Sequence, residues 1–392
     1  MPAAPLTDSS SSISSTRLTS LDLFRGVTIA AMILVNDPGN DHPYWPLEHA
    51  QWNGWTPTDL IFPFFLFIVG VSLVFSFEFR LRRGDSKSVL LLHTVRRAVI
   101  IFAIGLAMNY CLVLIAPSAF PGLRIPGVLQ RIGVCYLAAS ILFLYTRPRT
   151  RAVVVAVLLI GYWILMRFFP VPGFGVPGRD IPFLHPDANL AAYLDRRFLT
   201  TLWDKTRDPE GLLSTLPAIA TALLGVFTGE WLRSKRSPQT KLVGMLGCGA
   251  IGLVLGRTWG IWFPINKNLW TSSYVLFTAG FALVCLALCY WAADIKGWRG
   301  VSSNGIWSRP FLIFGRNAIA AFIVAWFFDV LQYVFNFRRN GQIESSHDYI
   351  FQRLFAPLGS PSFASLLFSL AFVLLCLLPI WLMDRKKIFL KI

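Results

Sequence analysis

Long apolar runs separated by short polar connections set the pattern of this chain. A bilayer core of about 30 Å is crossed by a helix of about 20 residues. Ten stretches approach that length: 20–36, 57–77, 91–115, 127–145, 151–169, 213–232, 240–257, 271–293, 310–335 and 363–383. The runs at 20–36 and 240–257 are the shortest. In lipid no backbone N–H or C=O can be left without a partner, so each run is predicted to be a helix. The fold expected is an all-α polytopic membrane protein, a bundle of about ten transmembrane helices.

Composition agrees. Of the 392 residues, 55% are hydrophobic and only 14% charged, and the mean hydropathy is +0.58. A soluble protein carries about 25% charged residues. The net charge of +16 does not require nucleic acid, because basic residues of membrane proteins collect on cytoplasmic loops. Arg80, Arg82, Arg83, Lys87, Arg147, Arg149, Arg233, Lys235, Arg236, Lys296, Arg385, Lys386 and Lys387 fall in one alternating set of connections. That set is assigned to the cytoplasm. Both termini then lie inside, and the connections 36–56, 116–126, 170–212, 258–270 and 336–362 face outward. The expected location is the cell inner membrane, crossed many times. Residues 1–19 read as a disordered Ser-rich tail and 20–392 as a single transmembrane domain. No cleavable leader pattern precedes the first apolar run, which is expected to stay as an anchor. The six cysteines lie in or beside apolar segments without a C-x-x-C pair, which favours packing roles. The five histidines show no zinc-binding spacing, and no metal is expected.

Chemistry concentrates at the edges of the runs. "PLEHAQWNGWTPTDL" (Pro46 to Leu60) places polar and titratable groups just before the second helix, on the outer side. His49 can take and return a proton near neutral pH, carry an acyl group, or simply bond to its loop. Asp59 can cap the helix, orient His49 or bind a cation. Asn36, at the outer end of the first helix, can donate to a developing oxyanion or only end the helix. Trp52, Asn53, Gln130, Arg131, Lys267 and Asn268 recur on the same face. They suit a sugar, with aromatic faces for stacking and amides or cations for hydroxyls; interfacial anchoring is the alternative. On the inner side, Arg25, Arg316 and Asn317 lie within or beside apolar runs, where polar groups are expensive. An intrahelical Asp22–Arg25 pair is the structural alternative. No P-loop, dinucleotide fingerprint or G-x-S-x-G elbow occurs.

The ordered runs "SLDLFRGVTIAAMILVN", "HAQWNGWTPTDLIFPFFLFIVG", "RIPGVLQRIGVCYL", "DPEGLLSTLPAIATALLG" and "NKNLWTSSYV" resemble the heparan-α-glucosaminide N-acetyltransferase family of transmembrane acyltransferases. The build resembles its bacterial members, without the luminal N-terminal domain. The resemblance implies a ten-helix core, acetyl-CoA used from the cytoplasmic side, and a glucosamine-type amine acetylated on the other side. It implies that His49 is the catalytic histidine and Asn36 its partner; Asp59 is then placed to hold the imidazole tautomer. Arg25, Arg316 and Asn317 are then the candidates for holding acetyl-CoA. Trp52, Asn53, Gln130, Arg131, Lys267 and Asn268 are those for an amino-sugar or glycan acceptor. The implied partners are these two substrates and the lipid bilayer, with a homodimer left open. The rival reading is a transporter or flippase for a sugar-linked substrate, which a broken-helix repeat would favour.

Overall fold

The computed structural model describes residues 18–118, 120–298, 305, 307–339 and 342–390. Most of the expected Ser-rich tail lies outside them. The architecture is all-α, as expected. α1 (Thr19–Asn36), α2 (Ile61–Arg82), α3 (Lys87–Ile115), α4 (Val128–Tyr145) and α5 (Pro148–Phe168) come first. The short α6 (Leu190–Phe198) lies in the long connection before α7 (Thr215–Arg233), α8 (Pro238–Trp259) and α9 (Ser272–Tyr290). α10 (Arg309–Arg316) and α11 (Ala318–Val334) follow. A small hairpin, β1 (Asn336–Arg339) and β2 (Gln342–Ser345), then leads to α12 (Ser346–Ile350) and α13 (Pro361–Arg385).

Among the described residues, nine helices are long and apolar enough to span a bilayer. The tenth expected span, 310–335, is not one helix. It breaks at Asn317, and α10 and α11 meet at 94°. Hydropathy cannot register this break, because both halves are apolar.

α2 is the most enclosed span, with 72% of its most apolar stretch buried, against 17% for α3 and for α8. α2 and its neighbours therefore form the centre, and α3 and α8 face lipid. Leu92, Val95 and Val99 on α3, and Val243, Ile251 and Val254 on α8, are exposed apolar side chains. On a soluble protein such stripes would be a liability; here the solvent is hydrocarbon.

The central packing relies on backbone proximity. A Cβ on Gly26 would lie 1.7 Å from the Phe311 carbonyl oxygen, and one on Gly315 would lie 2.0 Å from that of Asp22. Only glycine lets α1 and α10 touch this closely. The same contact brings Arg25 and Arg316, the residues beside those glycines, to a common cavity.

Candidate active site

The loop between α1 and α2 is tied to the start of α2 by side chains that sit close in sequence. Thr56 and Asp59 form a capping box around the turn Pro57–Leu60 that opens α2. Thr56 Oγ1 donates to the Glu48 carbonyl (2.6 Å), and Thr58 Oγ1 to that of Pro46 (3.0 Å). These bonds fold residues 46–50 back over the helix start. His49 thereby reaches Asp59, with 2.8 Å between Nδ1 and Oδ1. Asp59 is 1% exposed, and its Oδ2 accepts the backbone N–H groups of Ala50 (3.0 Å) and Thr56 (3.1 Å). Tyr274 Oη holds the Asp59 backbone carbonyl from α9 (2.5 Å). Asp59 therefore both caps the helix and orients the histidine. An ionised carboxylate only accepts, so it sets the proton of neutral His49 on Nδ1 and places the lone pair on Nε2.

The third member comes from far along the chain. Lys267 Nζ lies 3.0 Å from His49 Nδ1, 3.3 Å from Nε2 and 3.5 Å from Asp59 Oδ1. Burial pushes the Lys267 ammonium below the usual lysine range, against the pull of Asp59 and Glu210. Two loops meet here. Gly54 N–H donates to the Ile265 carbonyl (2.8 Å), and Asn266 Nδ2 donates to the Trp52 carbonyl (2.9 Å) and to Asn53 Oδ1 (3.2 Å).

The remaining candidates divide. Trp52 and Asn268 line a cavity of about 210 Å³ with Asp195, Trp203, Arg207 and Asp208. Trp52 is anchored through its Nε1–H to the Leu184 carbonyl (2.8 Å), and the Arg207 guanidinium lies 4.7 Å from its ring centre. Asp195 is 2% exposed. Burial pushes its carboxyl up to about 6, although the Leu212 N–H bonds to it. Behind this cavity Arg124 clasps Asp208 with two bonds (2.7 and 2.6 Å) and reaches Glu210 (2.5 Å). Burial works to lower the Arg124 guanidinium, and the two carboxylates outweigh it and raise it.

Arg131 does not reach the surface with His49. It is 2% exposed, donates to Ser214 Oγ (2.5 Å) and the Gly211 carbonyl (3.2 Å), and lies 5.2 Å from the Trp270 ring centre. Gln130 is also buried, its amide wedged between Gly105 and Gly127. Asn36 closes α1 with an exposed side chain. Among the described residues it makes no hydrogen bond to His49.

Arg25, Arg316 and Arg97 line a second cavity, of about 200 Å³, with walls that include Ile29, Met32 and Phe65. Arg25 bonds Ser72 Oγ (2.6 Å), the Gly315 carbonyl (3.2 Å) and Asp22 (3.3 Å), so the intrahelical pair forms as well. Arg316 meets Asp384 at 3.4 Å. Asn317 stands at the helix break, 2% exposed, and its Oδ1 takes the Leu390 N–H (3.3 Å). A third cavity, of about 330 Å³, adjoins through Arg97 and Tyr136 and adds Arg80, Arg96 and His93.

Sequence reasoning overlooked Thr56, Arg97, Asp195 and Trp203 as site residues. The T-x-x-D spacing before an apolar run was a legible signal for Thr56. The others carried no local signal. Among the described residues no group of three or more His, Cys, Asp or Glu side chains could hold a metal ion.

Comparison with known sequences bears directly on this arrangement. Residues 17–258 match the family model described as "Heparan-alpha-glucosaminide N-acetyltransferase, catalytic". The heparan-alpha-glucosaminide N-acetyltransferase of Mus musculus is 33% identical over 397 aligned positions, covering 88% of this chain and 58% of that protein. The Homo sapiens protein of the same name is 33% identical over 359, covering 78% and 52%. The chain thus spans somewhat over half the length of these relatives. With a family match over more than half its length, this chain belongs to the heparan-alpha-glucosaminide N-acetyltransferase family.

Proposed function

We propose that the protein is a transmembrane N-acetyltransferase of the inner membrane. It takes the acetyl group of cytoplasmic acetyl-CoA and passes it to the amine of a glucosamine-type sugar on the opposite side. The observation that carries this reading is the His49–Asp59 pair. A histidine with Nδ1 tied to a buried carboxylate and a lone pair on Nε2, beside the Lys267 amine, is arranged for general-base or nucleophilic work.

The other cavities suit the two substrates. Arg25, Arg97 and Arg316 offer planar cationic donors to CoA phosphates, and the apolar stretch between α1 and α2 suits the acyl-pantetheine arm. Asn317, at the helix break beside Arg316, supports that end. Trp52, Asn268, Trp203 and Asp195 suit a sugar bearing a cationic amine. Asn53 holds the loop that presents Trp52. Arg131 supports this floor from within through Ser214, while Gln130 packs between Gly105 and Gly127. His49 Nε2 removes the amine proton as the new amide forms and the thioester C–S bond breaks, with CoA leaving as the thiol, or else His49 displaces that thiol and carries the acetyl group to the amine. Lys267, with its ammonium destabilised by burial, is suited to donate to the thioester carbonyl, the role Asn36 was expected to fill. Asn36 stays a candidate at the mouth of the same loop.

The transporter reading draws on the break between α10 and α11. Among the described residues this is a single break without a counterpart in the other half, whereas repeat-built transporters use a matched pair. Incubating the purified protein with radiolabelled acetyl-CoA and hexosamines tests the proposal. Label is expected on the sugar amine and lost with His49→Ala. Sugar binding or uptake without transfer would overturn it.

A further inference from the structure

A buried titratable cluster lies outside the chemistry just described, where α1 ends. His347 of α12 is 5% exposed, and both its ring nitrogens face acceptors. Nε2 lies 3.1 Å from the Pro38 carbonyl oxygen and 3.8 Å from Asp37 Oδ1. Nδ1 lies 3.2 Å from Asp348 Oδ1. A neutral imidazole has a single N–H and can serve only one side. The Ser345 hydroxyl donates to Asp348 and holds its carboxyl below the usual range, so the group facing Nδ1 is an ionised acceptor. Only the imidazolium can donate to both acceptors at once. Tyr333 stacks on the ring at 5.2 Å and 17°, a favourable seat for a cation.

The other groups that face this imidazolium are few. Asp37 is 2% exposed, and its Oδ2 accepts from Gln332 Nε2 (2.8 Å). Burial pushes the Asp37 carboxyl up, and the Gln332 bond and the His347 charge pull it back. α11 adds Asp329 and Tyr333; Asp41 of the outer loop acts on Tyr333, and Cys376 of α13 lies near Asp37 and Asp329.

This cluster grips the start of the active-site loop. Ser369 Oγ of α13 donates to the Asp37 carbonyl (3.0 Å), and Gly39 N–H donates to Ser365 Oγ (3.1 Å). Asn40 Nδ2 donates to the Pro361 carbonyl (2.9 Å). The gripped residues begin directly after Asn36 and lead to His49. The helices that grip them lie beyond residues 17–258, the part matched by the family model. We propose that His347, as an imidazolium, is a positioning residue. It clamps residues 37–40 onto α12 and α13, and so sets Asn36 and the loop carrying His49 for transfer. When its second proton leaves, one of its two acceptors loses its donor and the loop loosens. The kinetic half of this proposal rests on the acetyltransferase reading; the structural half does not.

The sign is opposite to that of the base. The clamp is present at low pH and lost as pH rises, whereas His49 must be neutral to act. Loss of the clamp should therefore lower the transfer rate on the alkaline side. The test pairs the profile of rate against pH with hydrogen exchange of the 37–42 backbone in the full chain in nanodiscs, between about pH 5 and 9 and corrected for intrinsic rates. Protection is expected to fall about tenfold to a hundredfold as pH rises, the worth of one charge-assisted bond. In His347→Gln it should be low and flat, and in Asp348→Asn the loss should come at lower pH. His347→Gln should also lose the alkaline limb of the rate. Protection independent of pH in the native chain, or unchanged in Asp348→Asn, would overturn the clamp. An alkaline limb that survives in His347→Gln would overturn the positioning role. Exchange needs no substrate, so failure to transfer acetyl to any amine would defeat the acetyltransferase reading and leave the clamp standing.

Discussion

Replacing Asp59 with asparagine tests the site at its most determined point. The carboxylate accepts three N–H groups: His49 Nδ1 on one oxygen, and Ala50 and Thr56 on the other. An asparagine has one oxygen and must choose. Turning that oxygen to His49 puts the NH2 against the Ala50 and Thr56 amides, leaving two buried donors unpaired at about 1–3 kcal/mol each. Turning it to the two amides costs the charge-assisted share of the bonds, about 1 kcal/mol, and the carboxylate charge that Lys267 Nζ faces at 3.5 Å is lost in either orientation. The second orientation wins. The NH2 then donates to His49 Nδ1, which must give up its proton to Nε2. A histidine protonated at Nε2 cannot receive the amine proton there. Loss of a general base slows a reaction by about 10²–10⁴-fold, or about 3–5 kcal/mol in the barrier. The cavity lined by Arg25 and Arg316 does not include Asp59, so acetyl-CoA affinity should hold. The assay is single-turnover acetyl transfer with acetyl-CoA binding measured alongside, and thermal unfolding as the control for folding. A rate within about tenfold of the native one would refute the tautomer argument. So would a loss confined to acetyl-CoA affinity.

Arg97→Gln and Arg316→Gln should each weaken acetyl-CoA binding about tenfold, the worth of one charge-assisted bond, with little change in acceptor KM; calorimetry with CoA alone reads this directly. Asp195→Asn should raise the KM for an amino sugar and leave that for acetyl-CoA unchanged. It should also stabilise the fold at neutral pH. A carboxyl held at about 6 in the folded chain favours the protonated form, so it costs stability as pH rises from about 4 to 6, by up to about 3 kcal/mol. Melting curves against pH should lose that slope in the variant. Reporter fusions after Ile392 and before Thr19 should both be active only in a cytoplasmic format, as the distribution of basic residues requires.

The spans were legible because the bilayer imposes its thickness on each segment separately. The run at 240–257, among the shortest, became the 22-residue helix Pro238–Trp259, since length and apolarity are local properties. Local spacing also carried the Asp22–Arg25 pair, three residues apart on one helix, and the T-x-x-D cap at Thr56. His49 and Asp59 were both marked as candidates, and their contact depends on a loop of ten residues closed by its own threonines. Beyond that distance the sequence was silent. Nothing near Lys267 announces that it meets His49, 218 residues away, or that Arg124 closes on Asp208. Arg131 looked like a surface group at the mouth of its helix, yet packing turned it inward onto Trp270. Asn317 sits within an apolar run that reads as continuous, and the backbone turns by 94° at that point. Periodicity and hydropathy decide what a segment becomes. Which faces then meet is decided by contacts as close as that of Gly26 against α10, and these exist only once the helices have packed.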